Sequence, residues 1–89
     1  MKAVVTVIGV DKAGIIARIS TKLYEKGVNI LDITQTIMGD IFTMIMLVDV
    51  KTKETSFSEL VTEMKALGEE IGVEVTVTRE EIYKSMHRI

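Results

Sequence analysis

The order of apolar and polar residues along the chain predicts alternating strands and helices. Residues 3–8 are β-branched and apolar almost without interruption, which is typical of a central strand that is covered or partnered on both sides. From Ile15 the apolar positions recur at helical spacing, and Gly27 is expected to end this first helix as its C-terminal cap. The apolar face of the helix is predicted to hold Ile15, Ile16, Ile19, Leu23 and Tyr24.

The next part of the chain predicts a hairpin of two long strands. Residues 28–38 alternate as a strand does, and a two-residue turn at Gly39 and Asp40, of the type that needs glycine first, joins them to a third strand over residues 41–50. The second strand is expected to carry Leu31, Ile33, Gln35 and Ile37 on one face and Ile30, Asp32, Thr34 and Thr36 on the other. The third strand is apolar on both faces, with Met44, Met46 and Val48 on one and Thr43, Ile45 and Leu47 on the other.

A second helix, a last strand and a helical tail complete the pattern. The second helix is predicted to begin at Ser56, where Glu59 completes a capping box, and to end at Gly72. Its buried stripe is expected to hold Phe57, Leu60, Val61, Met64, Leu67 and Ile71. The last strand alternates, with Val73, Val75 and Val77 predicted to be buried. In the tail, helical spacing relates Ile82, Tyr83, Met86 and Ile89.

This order of elements, βαββαβ, predicts an α+β fold of the ferredoxin-like type. Right-handed crossovers place both helices on one face of a four-stranded antiparallel sheet with spatial order 4-1-3-2, and a short C-terminal helix follows. No proline, linker or low-complexity stretch interrupts residues 1–89, so we expect one domain with a helical tail over residues 79–89. Because the third strand is apolar on both faces, we expect a partner on the sheet face that the helices leave open.

Composition and charge narrow the class of protein. A chain of 89 residues buries only about 60% of its unfolded surface, so a second subunit would matter to its stability and a homodimer is expected. The absence of cysteine excludes disulfides and thiolate ligands and fits a cytoplasmic location. A net charge of −2 argues against a nucleic-acid partner. The apolar N-terminal stretch is too short to span a membrane, so no membrane association is expected.

The stretch "GVDKAGII", from Gly9 to Ile16, is the first candidate for chemistry. Its two glycines match the spacing of a phosphate-binding loop, but Ile15 and Ile16 stand where that loop needs lysine and a hydroxyl residue. We expect both isoleucines to be buried in the core, which excludes a nucleotide. The start of the helix still presents unpaired N–H groups and the positive end of the helix dipole, which suit a carboxylate as well as a phosphate.

Other polar residues allow more than one interpretation. Asp11 is either an N-cap or near-cap of the first helix or an acceptor for a ligand's ammonium group. Asn29 is either a turn residue that bonds its own backbone or part of a binding site. Asp32 faces water at a sheet edge, pairs with a basic residue, or lies at a subunit interface. No metal is expected, because Asp11, Asp32 and Asp40 do not have the spacing of a calcium loop. His87 has no nucleophile and carboxylate near it in sequence, so we expect no enzyme and no cofactor.

Three functions that this topology also hosts are disfavoured. A copper chaperone needs two thiolates in the first loop, and the chain has none. An RNA-recognition module needs several exposed aromatic residues on the central strands, where only Phe42 occurs. An acylphosphatase needs an arginine beside the first loop, whereas Arg18 lies a full turn into the helix.

The residues that remain resemble a known family. The stretch "GVDKAGIIARISTKLYEKGVNILDITQTI" is similar to the first half of an ACT domain, a small regulatory module of amino-acid metabolism. The matching features are the aspartate and glycine of "DKAG", the apolar pair "II", the helix end "LYEKGVNI" and the strand "LDITQ". The stretches "NILDITQ" and "IYKSMHRI" look closest to small stand-alone ACT proteins akin to the regulator of the glycine cleavage system.

The resemblance implies a binding site shared by two subunits. In ACT domains that bind amino acids, the effector lies near the loop after the first strand and against the second strand of the neighbouring subunit. The residues that match these positions are Gly9, Asp11, Gly14 and Ile15 in the loop and Asn29 and Ile30 in the second strand. Backbone N–H groups of Gly14 and Ile15 would bind the carboxylate of an amino acid, and Asp11 its ammonium group.

The chain departs from the family pattern at two points. Ala13 stands where many ACT domains have a proline, which makes the loop less rigid, and no catalytic domain follows within residues 1–89. The leading hypothesis is therefore a non-catalytic, homodimeric ACT protein that binds an amino acid or related metabolite and signals to a partner protein. The alternative is a protein-interaction module without a ligand, whose dimer face and tail recruit an enzyme or regulator.

Overall fold

The computed structural model of the chain describes residues 1–10, 13–50 and 57–86. The elements are β1 (Lys2–Val10), α1 (Ile15–Glu25), β2 (Val28–Met38), β3 (Ile41–Val50), α2 (Phe57–Ile71), β4 (Val73–Arg79) and α3 (Glu80–Met86). The four strands form one antiparallel sheet in the order β2-β3-β1-β4. This confirms the ferredoxin-like α+β fold, the order 4-1-3-2 and the short C-terminal helix. The predicted cap residue Ser56 and the tail residues His87 and Ile89 lie outside the described residues.

The hairpin between β2 and β3 turns as predicted. β2 ends at Met38 and β3 begins at Ile41, so Gly39 and Asp40 are the two turn residues. Gly39 has a φ of +63°, and Asp40 is not among the residues with positive φ. A turn with positive φ at its first residue alone is of type II′, which is why glycine is needed at that position.

The core lies between the two long helices and one face of the sheet. β1, β3 and β4 each contribute alternate residues to this covered face, and α1 and α2 each contribute a narrow stripe. The central members are Ala3, Val5, Val7, Met44, Met46 and Val48 from the two middle strands, Val73, Val75 and Val77 from β4, and Ile15, Ile19, Leu23, Leu60, Met64 and Leu67 from the helices. The predicted stripe of α2 and the alternation of β4 are thereby confirmed.

The predicted apolar face of α1 is too wide. Ile15, Ile19 and Leu23 follow one another at intervals of four residues and are buried, but Ile16 is exposed and Tyr24 is 83% exposed. Adjacent positions on a helix are separated by about 100°, so a helix that contacts only the sheet beneath it buries a single stripe. The prediction that Ile16 would be buried with Ile15 is therefore wrong.

The predicted faces of β2 are also wrong at two residues, Ile30 and Leu31. Ile30 pairs with Val48 and Asp32 pairs with Leu47, so Leu31 is an extra residue that forms a β-bulge. The bulge shifts the alternation, and Ile30 consequently shares the covered side of the sheet with Ile33, Gln35 and Ile37. Sequence alternation alone does not show a bulge, because it assumes one residue per rung along the whole strand.

The other side of the sheet, here called the open face, is only partly covered. It carries Lys2, Val4, Thr6, Ile8 and Val10 from β1, Ile41, Thr43, Ile45, Leu47 and Asp49 from β3, Asn29, Asp32, Thr34, Thr36 and Met38 from β2, and Glu74, Thr76 and Thr78 from β4. α3 lies against β1 and β4, and Val4, which points to this face, is only 6% exposed. α3 therefore covers the end of the open face where β1 begins.

Candidate functional site

The start of α1 is the first part of the predicted site. Gly14 is the N-cap of the helix with a φ of +85°, and a Cβ atom built on it would meet no atom within 4 Å. Its carbonyl accepts a hydrogen bond from the backbone N–H of Arg18 at 2.9 Å. The side chain of Ile15 is buried in the core, so only its backbone is available to a ligand. Asp11 lies outside the described residues, and the N-cap position is occupied by Gly14.

A small cavity lies beside this helix start. Its volume is about 90 Å³, and its described lining residues are Ala13, Gly14, Ile15, Arg18 and Ile71. Pockets that enclose a small molecule usually measure about 300–1,000 Å³. The cavity lined by these residues is smaller than that range, so a binding site of ordinary size at this position would need a further wall.

Arg18 lies one turn into α1 and nevertheless reaches the start of the helix. It lines the cavity at the start of α1, and its Nη2 donates a hydrogen bond to Oε1 of Glu70 at 2.9 Å. Helical side chains lean toward the N-terminus of their helix, so a long side chain one turn into a helix reaches back over the helix start. The four-residue separation of Gly14 and Arg18 was the signal that could have identified it.

Gly9 has a structural reason to be glycine. It pairs with Phe42 of β3 and Val73 of β4 in the middle of the sheet. A Cβ atom at Gly9 would lie 2.6 Å from Cγ1, 3.0 Å from Cβ and 3.2 Å from Cα of Val73. Real carbon atoms do not approach this closely, so the missing side chain is what allows β4 to pack against the end of β1.

Asn29 and Ile30 lie at the opposite end of the sheet. Asn29 is exposed and pairs with Asp49, which in turn pairs with Lys2 at the beginning of β1. Ile30 is half-buried and packs against the core. The loop after β1 begins beyond Val10, which lies eight residues from Lys2, or roughly 26 Å along the strand. Within one chain, the structure does not bring the two halves of the predicted site together.

Asp32 faces water on the edge strand β2, which was one of its three interpretations. Its Oδ1 accepts a hydrogen bond from the backbone N–H of Ile33 at 2.8 Å, directly after the bulge. This N–H is thus turned toward the free edge of the sheet and away from β3. Among the described residues, no cluster of three His, Cys, Asp or Glu side chains could hold a metal ion.

A larger groove of about 520 Å³ runs between α2 and β4. It is lined by Val61, Lys65 and Glu69 on the helix and by residues 73–77 on the strand. β4 is the opposite edge of the sheet from β2, so this groove is separate from Asn29 and Ile30, and of the predicted site residues Gly9 adjoins it through its pairing with Val73. None of the helices within residues 1–10, 13–50 and 57–86 is long and apolar enough to cross a membrane.

The ferredoxin-like sheet and the glycine-capped helix start define a small α+β domain. The family model of the ACT domain matches residues 2–78, from β1 to the end of β4. The chain therefore belongs to the ACT domain family, as the resemblance implied. ACT domains are a regulatory fold that typically binds small ligands.

Relatives with this fold occur in archaea and bacteria. A UPF0237 protein of Methanococcus maripaludis is 54% identical over 86 residues, which are 97% of this chain and 96% of that protein. The structure of an ACT domain protein from Streptococcus pneumoniae is 39% identical, covers 94% of both chains and has a TM-score of 0.83. A protein designated a glycine cleavage system transcriptional repressor is 25% identical with a TM-score of 0.71, over 86% of this chain and 44% of that one.

Proposed function

We propose that this chain is a non-catalytic regulator that works as a homodimer and binds an amino acid or related small metabolite between its subunits. In this proposal residues 1–89 form one ACT domain with a helical tail, and binding changes how the dimer engages a partner protein. The cysteine-free sequence suits a reducing compartment, so we place its action in the cytoplasm. Its similarity to a protein designated a transcriptional repressor supports a regulatory role.

The separation of the two halves of the predicted site carries this proposal. Gly14 and Ile15 lie at one end of the sheet and Asn29 at the other, so one copy cannot use them together. If two copies join their β2 edges in antiparallel orientation, the beginning of one β2 lies beside the end of the other. The Asn29 of a second copy would then lie at the end of the sheet where α1 begins.

β2 is suited to this pairing because little protects its edge. Over Val28–Met38 it carries no lysine, arginine or proline, the residues with which proteins usually guard an exposed strand. The bulge and the hydrogen bond from the Ile33 N–H to Asp32 occupy the first half of the edge, which leaves the backbone of residues 34–38 to pair. Pairing about Gln35 would set Ile33 of each copy against Ile37 of the other, an apolar pair on the same face.

The chemistry of the helix start selects the class of ligand. Backbone N–H groups at the start of α1 and the cavity-lining Arg18 favour an anionic group such as a carboxylate. Asp11, which follows β1 in the sequence, would bind a cationic group beside it. A carboxylate and an ammonium group separated by one carbon are the two ends of an α-amino acid.

Calorimetric titration of the purified protein with each amino acid tests the proposal. We expect at least one to bind with a stoichiometry of one or two per dimer and to raise the melting temperature. The N–H of Gln35 faces the free edge, as does that of Ile33 two residues earlier, so Gln35→Pro should abolish both the pairing of two β2 edges and ligand binding while sparing the pairing with β3. The matched variant Gln35→Val keeps the N–H and should preserve both.

A further variant locates the ligand. Lys65→Ala changes the groove between α2 and β4 and should leave binding unchanged, whereas Arg18→Ala should weaken it. If binding were lost in Lys65→Ala and retained in Gln35→Pro, the ligand would bind in the groove between α2 and β4 and not at the start of α1. If no amino acid gives a heat of binding or raises the melting temperature, the protein does not bind an amino acid and that part of the proposal is wrong.

α3 supports the second candidate function, a ligand-free module that recruits a partner protein. The helix buries none of its side chains, and Met86 on its apolar side is 61% exposed. If this function is correct, deleting residues 80–89 should abolish capture of the partner while titrations with amino acids stay silent. If the truncated chain captures the same partner as the full chain, the module does not use α3.

A further inference from the structure

The open face of the sheet has two unlike ends. At the end where β1 begins, α3 covers the sheet and Val4 is buried. At the other end, large apolar side chains remain exposed, and Val10 is 52% exposed. This bare end consists of Ile8, Val10, Met38, Ile41 and Ile45, which are neighbours through the pairing of β1 with β3 and of β3 with β2.

The bare end has the chemistry of a subunit interface. None of its five residues is charged, and the residues of the open face beside them on β2 and β3 are threonines. On the strands of the open face the charged side chains are Glu74 of the edge strand β4, which pairs with Ile8, and Lys2, Asp32 and Asp49 toward the covered end. Exposed apolar clusters of this kind, with a polar rim, mark association surfaces more often than solvent-facing surface.

α3 is the complementary feature at the other end. It follows β4 directly, lies on the open face, and presents Ile82 and Met86 to solvent with 49% and 61% of their surface exposed. A helix of seven residues has little intrinsic stability, so packing of its apolar side is what would keep it folded. The sheet beneath it supplies only part of that packing, because no side chain of α3 is buried.

We propose that two copies of this chain associate through their open faces, with α3 of each copy packed on the bare end of the other. A two-fold axis that lies between the sheets and perpendicular to the strands, over Thr6, places the covered end of one face against the bare end of the other. The same rotation buries Ile82 and Met86 of each copy. The contact is isologous, so it closes and does not propagate.

The size of the face agrees with a stable contact. Four strands at about 4.8 Å spacing and ten residues at about 3.3 Å each give a projected area of roughly 600 Å². Side-chain relief adds to this figure, and stable interfaces bury about 800 Å² on each partner. Because the contact leaves the β2 edge free, it goes beyond the proposed function, and a protein that uses both surfaces would be a tetramer.

Mass measurement by light scattering tests the contact. Ile41→Glu places a charge on the bare end and should weaken this association at least about tenfold, halving the mass of the assembly. Tyr24→Glu introduces the same charge at the 83% exposed position on α1 and should not change the mass. A monomeric wild-type protein, or an unchanged mass for Ile41→Glu, would overturn the proposal. Gln35→Pro, which breaks the β2 edge, should leave this contact intact, so the two interfaces fail independently.

Disulfide trapping gives a second readout that does not depend on destabilising the protein. The chain has no cysteine, so single substitutions report on single positions. After Ile41→Cys and Ile82→Cys chains are mixed and allowed to exchange, mild oxidation should link one chain of each kind. Ile41→Cys mixed with Tyr24→Cys should give no such product. Equal yields from both mixtures would mean that random collisions, and no defined contact, form the bonds.

Discussion

Both faces of the sheet carry large apolar residues, but the two faces differ in how far those residues are covered. On β3, Met46 points to the covered face and is 0% exposed, while its neighbour Ile45 points to the open face and is 36% exposed. The helices α1 and α2 close the first face, and only the short α3 reaches the second. The chain thus covers one apolar surface by itself and leaves large apolar side chains of the other exposed.

The two faces also differ in how tightly they are filled. On the covered side, Gly68 of α2 lies so close to β4 that a Cβ atom would be 2.7 Å from the carbonyl oxygen of Val73. On the open face, Ile8 and Ile41 are about half exposed. Substitutions on the covered face should therefore change the free energy of unfolding, and substitutions on the open face should change association.

The largest difference in the free energy of unfolding is expected between substitutions at two neighbouring residues of β3. Met46→Ala removes a fully buried side chain and should lower the free energy of unfolding by about 2–5 kcal/mol, the range for large-to-small changes in cores. Ile45→Ala should cost less than about 1 kcal/mol in the monomer, because its side chain already contacts water. Urea denaturation of both variants at low protein concentration measures the difference, and equal costs would contradict the distinction between the faces.

The fold was largely predictable because it depends on patterns that the chain repeats. The alternation in β3 and β4, the stripe of α2 and the glycine of the β2–β3 turn each have a local physical cause. The bulge at Leu31 was missed because it arises from pairing with β3, a partner distant in sequence. The exposure of Ile16 and Tyr24 was missed because it depends on how much of a helix the sheet can cover.

The candidate site was less predictable, since it depends on which end of the sheet each residue occupies. Gly14 and Asn29 are fifteen positions apart in the sequence, with a helix between them, and only the strand pairing shows that they lie at opposite ends. Gly9 was assigned to a ligand, whereas Val73 supplies a packing reason for it. Both features depend on contacts between different strands and helices, and the pattern of residues along a single element does not show such contacts.

The second largest loss of stability is expected when a side chain is added at Gly9 on the covered face. Gly9→Ala should cost about 2–3 kcal/mol, in the upper part of the range for overpacking, because the Cα atom of Val73 is also within 3.2 Å and cannot swing away. Val73→Ala removes the closest methyl group and should relieve part of this cost when combined with Gly9→Ala. A double-mutant cycle by urea denaturation measures the coupling. Additive costs would mean that Val73 is not what excludes a side chain there.

A smaller effect is expected at Gly14, which lies on neither face and has open space around it. Its φ of +85° is the sole obstacle to a side chain, so Gly14→Ala should cost about 1–2 kcal/mol from the left-handed conformation alone. Asparagine tolerates this conformation better, so Gly14→Asn should cost less than Gly14→Ala. At Gly9 asparagine should cost more than alanine, because the larger side chain meets Val73. If the same substitution were the more costly one at both glycines, packing at Gly9 and backbone conformation at Gly14 would not be the separate causes inferred here.

The smallest effect is expected on the outer surface of the helices, where Arg18 and Glu70 link α1 to α2. Both side chains are about half exposed or more, so the pair should contribute no more than about 0.5 kcal/mol to stability, and less at high salt. A double-mutant cycle of Arg18→Ala and Glu70→Ala measures this coupling. The structure gives Arg18 a second possible partner, because a carboxylate in the cavity at the start of α1 would compete with Glu70 for its guanidinium. Glu70→Ala should then strengthen amino-acid binding while leaving stability nearly unchanged, and a weaker affinity in that variant would show that Glu70 holds Arg18 in its binding position and does not compete for it.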